Sequence, residues 1–166
     1  MIQAFSDWLV NTWLSHLFAD NIWTIAVVQT IHILCVAIVM ISVAVFNMRI
    51  LGLAGRNQSV SALAQQYMPW IWRALIILVI TGIFLIIAEP ARELMNVTFR
   101  VKMLLLLSVV LITHYYVKKL RSDAHFWDVE GRHHSLGVTL ASISMIFWVG
   151  IVVCGRLIAY VGGIYV

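Results

Sequence analysis

The chain has 166 residues, of which 63% are hydrophobic and 11% charged, with a formal net charge of +4. A soluble domain carries about 25% charged residues, so the composition excludes a water-covered globule and points to an integral membrane protein. The few cations sit at the margins of apolar runs, which is topology information and not a nucleic-acid footprint; the partner it implies is the lipid bilayer.

In chain order, residues 3–19 come first. Phe5, Trp8, Leu9, Trp13, Leu17 and Phe18 recur at helical spacing, with Ser6, Asp7, Asn11 and Ser15 on other faces. The pattern predicts an amphipathic helix lying in the membrane interface, its tryptophans at headgroup level. It lacks the basic start of a cleaved leader and carries Asp7 and Asp20, so no leader is expected. Four apolar runs follow, at 22–51, 69–88, 99–117 and 136–161. Each is long enough for about 30 Å of hydrocarbon, which takes about 20 helical residues. "GLAGRNQS" ends the first run, Pro69 is expected to open the second at a helix start, "EPAREL" closes it, and "RSDAHFWDVEGRHH" is the strongly polar loop. The expected fold is a single all-α domain over 1–166: a transmembrane four-helix bundle preceded by the interfacial helix. Arg49, Arg56, Arg73, Lys118, Lys119, Arg121 and Arg132 lie at one face, against Arg92, Arg100, Lys102 and Arg156 at the other. This Lys/Arg bias makes the loops 52–68 and 118–135 cytoplasmic and both termini external.

Polar groups inside the apolar runs need an account, because a helix-centre charge costs about 2.5–3.5 kcal/mol on insertion scales. Arg49, Arg73, Lys118 and Lys119 sit at helix ends, where long cations snorkel to the headgroups. Cys35 and Cys154 read as small packing residues, and His16, His125, His133 and His134 as loop residues. Ser108, Gly82, Gly137, Ser142, Ser144 and Gly150 are small enough to let helix backbones approach. His32, in "VVQTIHILCV", is too deep to snorkel. It is either a satisfied core histidine or a ligand, since neutral imidazole binds haem iron, copper and zinc. Gln29, one turn away on the same face, is the expected partner that would fix the imidazole tautomer. His114 is a second candidate ligand, but it lies roughly 10 Å from His32 along the membrane normal, so pairing them on one haem requires tilt or offset. Arg100, Lys102 and Arg156 lie on the external side, where cations would meet the propionates of a haem.

Two stretches carry a resemblance. "IHILCVAIVMISVAVFNMRILGL" places a histidine near the start of a span and an arginine further on, and "FRVKMLLLLSVVLITHYYVKKL" places a lysine before a leucine-rich run that ends in His-Tyr-Tyr. Together they resemble the HemJ-type protoporphyrinogen oxidases and, more loosely, the copper-resistance D-type membrane proteins. With "GRLIAY" at 155–160, the whole chain resembles uncharacterised bacterial four-helix membrane families. The resemblance implies a bacterial inner-membrane protein with haem b held through His32, Lys102 important for activity, and Arg49 matching the arginine after the first span. "GRLIAY" and the N-terminal helix are not features of the HemJ family, so haem binding is the expectation carried forward, rather than protoporphyrinogen oxidation. A quinone or porphyrin-like donor would then supply electrons, and the haem would be five-coordinate, or take a second axial ligand from His114 or from another subunit of a homo-oligomer. Two other readings compete: a copper-handling protein using His32, Cys35 and methionines, with no MxxM ladder to support it, and a cofactor-free structural or assembly subunit of a larger membrane complex.

Overall fold

The computed structural model describes residues 2–19, 21–54, 57–123, 126–127 and 132–161, and among them every regular element is helical. The elements are α1 (Ile2–Val10), α2 (Trp13–Ala19), α3 (Ile22–Ile50), α4 (Val60–Ala88), α5 (Pro90–Leu94), α6 (Val97–Ser122) and α7 (Arg132–Val161). Helices α3, α4, α6 and α7 are each long and apolar enough to cross a membrane. The protein is a multi-pass, all-α membrane protein with short helices at its N-terminus, as its composition predicts.

Local chemistry sets the boundaries. Ser59 caps α4 by accepting from the Ala62 amide at 3.1 Å, and Asn96 caps α6 by accepting from Thr98 at 2.9 Å, each satisfying an amide that has no partner within the helix. Helix α3 closes with Gly52 at φ 70°, a conformation that favours glycine, while the amides of Leu53 and Ala54 fold back to the Met48 carbonyl. Pro90 occupies the first turn of α5, where its missing N–H is harmless.

Two expectations are corrected here. Pro69 does not open the second span: α4 begins at Val60 and carries Pro69 inside it. The proline is exposed, as is Gln65, whose carbonyl loses its helical partner, so the ring points away from the bundle. Membrane helices tolerate such interruptions. The N-terminal segment is also not one helix. Asn11 Nδ2 donates to the Asp7 carbonyl and Thr12 Oγ1 to the Leu9 carbonyl, both at 2.7 Å, while the Ser15 amide donates to Thr12 Oγ1 at 3.4 Å. These short side chains compete with the backbone ladder and divide the segment into α1 and α2.

Helix α3 packs most closely on α4, α6 on α7, and α3 more lightly on α7, whereas α4 and α6 barely touch. The bundle is therefore open along the α4–α6 side. Helix α1 lies on α5, and α2 lies on α4 and α3, with Phe18 and Phe84 ring centroids 5.4 Å apart. Ser6 and Ser15 are buried, while Phe5, Trp8, Trp13, Leu14 and Leu17 are exposed. The small residues thus face the bundle and the tryptophans face outward.

The end of the bundle nearest the α3–α4 and α6–α7 loops is closed by aromatic packing. Trp127, from the polar loop, is buried with its ring 4.9 Å from Tyr116 and 4.8 Å from Phe126. Tyr116 Oη donates to the Gly137 carbonyl at 2.9 Å, tying α6 to α7, and Phe46 on α3 meets Tyr116 edge-on at 5.4 Å.

Candidate functional site

The polar residues near the termini-side half of the bundle converge on α3. His32 lies ten residues into α3, about 15 Å along the axis at 1.5 Å per residue, and is half-buried. Its Nδ1 is 2.8 Å from Thr81 Oγ1 on α4. The Thr81 hydroxyl is also 2.7 Å from the Ile77 carbonyl, to which it donates. With its single proton committed to Ile77, Thr81 accepts from His32, so Nδ1 carries the hydrogen and Nε2 the free lone pair. The other tautomer would leave an Nε2–H donor with no partner among the described residues. Gly82 follows Thr81, and a Cβ built there would stand 3.7 Å from His32 Cε1. Helix α4 therefore presents a hydroxyl and then a bare backbone to one edge of the imidazole.

Lys102 on α6 completes the layer. Its Nζ is 4.0 Å from where a Gly155 Cβ on α7 would stand, and its charge acts on the Glu93 carboxyl at the edge of the spans. Burial pushes the Glu93 carboxyl above its ordinary value, against the opposing pull of Lys102 and Arg92. Next to it, Arg92 Nη2 is 2.6 Å from Glu89 Oε2. Helices α3, α4, α6 and α7, with α5 at their edge, each contribute to this one region.

The other sequence candidates fall elsewhere. Gln29 is exposed, and the hydrogen bond of His32 runs to Thr81 instead; the tautomer is set from across the α3–α4 interface, not from within α3. Arg100 and Arg156 are exposed, with Arg156 5.6 Å from the Tyr160 ring centroid. Of the three expected cations, Lys102 is the one that is half-buried, with its Nζ near Gly155 on α7. His114 is twelve residues beyond Lys102 on α6, about 18 Å along the axis, so it is not brought to the His32 region. It lines an open cleft at the other end, with Trp72, Val117, Lys118 and Arg121. Arg49 Nε donates to the Gln58 carbonyl at 2.6 Å and so ties down the loop after α3. Cys35 is buried in the core, consistent with packing. His125 and the side chains of His133 and His134 lie outside the described residues.

The sequence alone does not point to Thr81 as the partner of His32, nor to Glu93 and Gly155 as neighbours of Lys102. Glu93 carried a signal, a carboxylate within "EPAREL" at the margin of a span. Thr81 carried a weaker one, a lone hydroxyl in an apolar run. Among the described residues no three His, Cys, Asp or Glu side chains gather as a metal-ion site.

The fold and this layer define a class: a four-span membrane protein with an intramembrane imidazole anchored across two helices. The chain belongs to a family of unknown function, DUF6644, whose model matches residues 5–161. No curated protein and no solved structure matches it.

Proposed function

We propose that the protein is a b-type haem membrane protein with His32 as an axial ligand. One observation carries the reading: an imidazole deep in a span, anchored at Nδ1 by Thr81, whose Nε2 lone pair has no protein partner among the described residues. An intramembrane polar group is costly unless something uses it, and ligating histidines characteristically give their other ring nitrogen to a fixed acceptor. The same hydrogen bond would satisfy a histidine without a ligand, but such a histidine would be closed into the core, whereas His32 is half-buried. A haem needs only one or two protein ligands, whereas copper needs a denser donor set.

In this reading Lys102 neutralises a propionate at the termini-side face, helped by Arg100 or Arg156. Thr81 holds the ring plane and raises the basicity of Nε2. Haem supplies one-electron redox chemistry when bound. A quinone or porphyrin-like donor would reach it through the bilayer. We place the protein in a bacterial inner membrane with both termini external, on the Lys/Arg bias and the resemblance to HemJ-type proteins. The test is the visible spectrum of detergent-purified protein from haem-replete cells, oxidised and dithionite-reduced. A Soret band that is lost in His32→Ala and kept in His114→Ala is the expected result. The absence of a band, or one indifferent to His32, would refute the proposal and leave an assembly subunit as the reading.

A further inference from the structure

The cleft that holds His114 has a chemistry of its own, independent of the haem reading. It encloses about 370 Å³ between α4 and α6 and is lined by Trp72, His114, Val117, Lys118 and Arg121. The four α6 residues are spaced i, i+3, i+4 and i+7, which places them on one stripe of the helix. Among the described residues the lining contains no carboxylate, and Lys118 and Arg121 make no ion pair. Such a cleft is complementary to an anion. Arg121 offers a planar fork for phosphate oxygens, Lys118 a mobile point charge, and His114 a further nitrogen one turn deeper.

The surroundings identify the kind of anion. The same stripe of α6 continues away from the cleft as Leu111, Leu107 and Leu104, which are 59%, 56% and 66% exposed. Across the opening, α4 presents Ile76, Val79 and Ile83, also exposed. Because α4 and α6 barely touch, these two apolar stripes flank a groove that runs from the cationic cleft toward the middle of the bundle. Trp72 stands at its mouth, the position an indole takes at headgroup depth. A soluble phosphate would use the cations but not the groove. We propose that the cleft seats the phosphate headgroup of an anionic phospholipid, with its acyl chains lying along the α4–α6 groove.

Native mass spectrometry of the full chain released from vesicles of equal phosphatidylglycerol and phosphatidylcholine, with matched acyl chains, tests this. Phosphatidylglycerol should be retained preferentially. Lys118→Gln and Arg121→Gln should each reduce that retention about fivefold, from the roughly 1 kcal/mol that one cation contributes toward an anionic lipid surface. Arg73→Gln removes the same charge outside the cleft and should leave retention unchanged. Circular dichroism of each variant checks that the helices persist; Lys118 and Arg121 are exposed, so folding should survive. Equal retention of the two lipids overturns the proposal, as does an equal loss in Arg73→Gln, which would mean diffuse surface charge. Displacement of the lipid by millimolar inorganic phosphate would show a free-phosphate site and overturn it too.

Discussion

Replacing Thr81 with valine keeps the volume and β-branching of the side chain and removes the oxygen that holds His32. The substitution has two separable effects. The bond from Thr81 Oγ1 to the Ile77 carbonyl, 2.7 Å long, is local to α4 and of little value, since that carbonyl also serves the helix ladder. The contact of 2.8 Å to His32 Nδ1 joins two helices. Interhelical hydrogen bonds in membranes average about 0.6 kcal/mol and reach about 1.7. Thr81→Val belongs at the upper end, because Thr81 is buried and the imidazole N–H stays behind without a partner. Thr30 provides the control: its hydroxyl donates to the Ala26 carbonyl at 2.8 Å within α3 and is exposed, so Thr30→Val should cost less than about 0.5 kcal/mol. Unfolding in mixed detergent, followed by circular dichroism, measures both. The decisive comparison is the double-mutant cycle, in which Thr81→Val in a His32→Ala background should cost almost nothing. If haem binds as proposed, Thr81→Val should also weaken it about 10–100-fold, while Thr81→Ser keeps it. A full penalty for Thr81→Val without His32 would refute the anchoring argument, whatever the cofactor.

Three further outcomes follow from the geometry. Gly137→Ala would gain about 1 kcal/mol of helix propensity, but its Cβ would stand 3.0 and 3.2 Å from Trp127 ring atoms and 3.3 Å from Ile50 Cγ2. Overpacking costs about 1–3 kcal/mol, so the variant should be less stable, and Trp127→Phe in the same chain should recover part of the loss in the unfolding assay. Tyr116→Phe removes the buried bond to the Gly137 carbonyl and should cost about 1 kcal/mol, with faster proteolysis of the α6–α7 loop as a second readout. For Glu93 burial raises the carboxyl from its ordinary 4.5, so its protonated form is favoured in the fold. Its contribution is fully present below pH 4.5 and is lost as pH rises through the raised value. Glu93→Gln should therefore flatten the stability profile above pH 4.5, and a profile unchanged by that substitution would contradict the burial argument.

The number of spans was legible because it depends on composition alone: runs such as 22–51 bury enough carbon in lipid that little else matters. The depth of His32 was legible for the same reason, since helical rise converts sequence position into distance. Its partner was not. A single helix offers only its own face, so Gln29 is the nearest polar choice, yet Gln29 itself is exposed; selecting Thr81 requires the register between α3 and α4, which the packed core residues determine together. Pro69 misled because a proline at the edge of a strongly apolar run reads as a start, whereas an exposed interior position accommodates it equally well. Trp127 was hidden in a polar loop because burial there comes from the open space above Gly137, a property of two helices and not of the loop. The same reasoning connects the two polar ends of the molecule. Helix α6 gives Lys102 to the bundle at one end and presents His114, Lys118 and Arg121 outward at the other, so along one helix the inward residue serves the candidate cofactor site and the outward ones the membrane. The weak α4–α6 contact lets it do both, because it leaves open the groove that the proposed lipid would occupy.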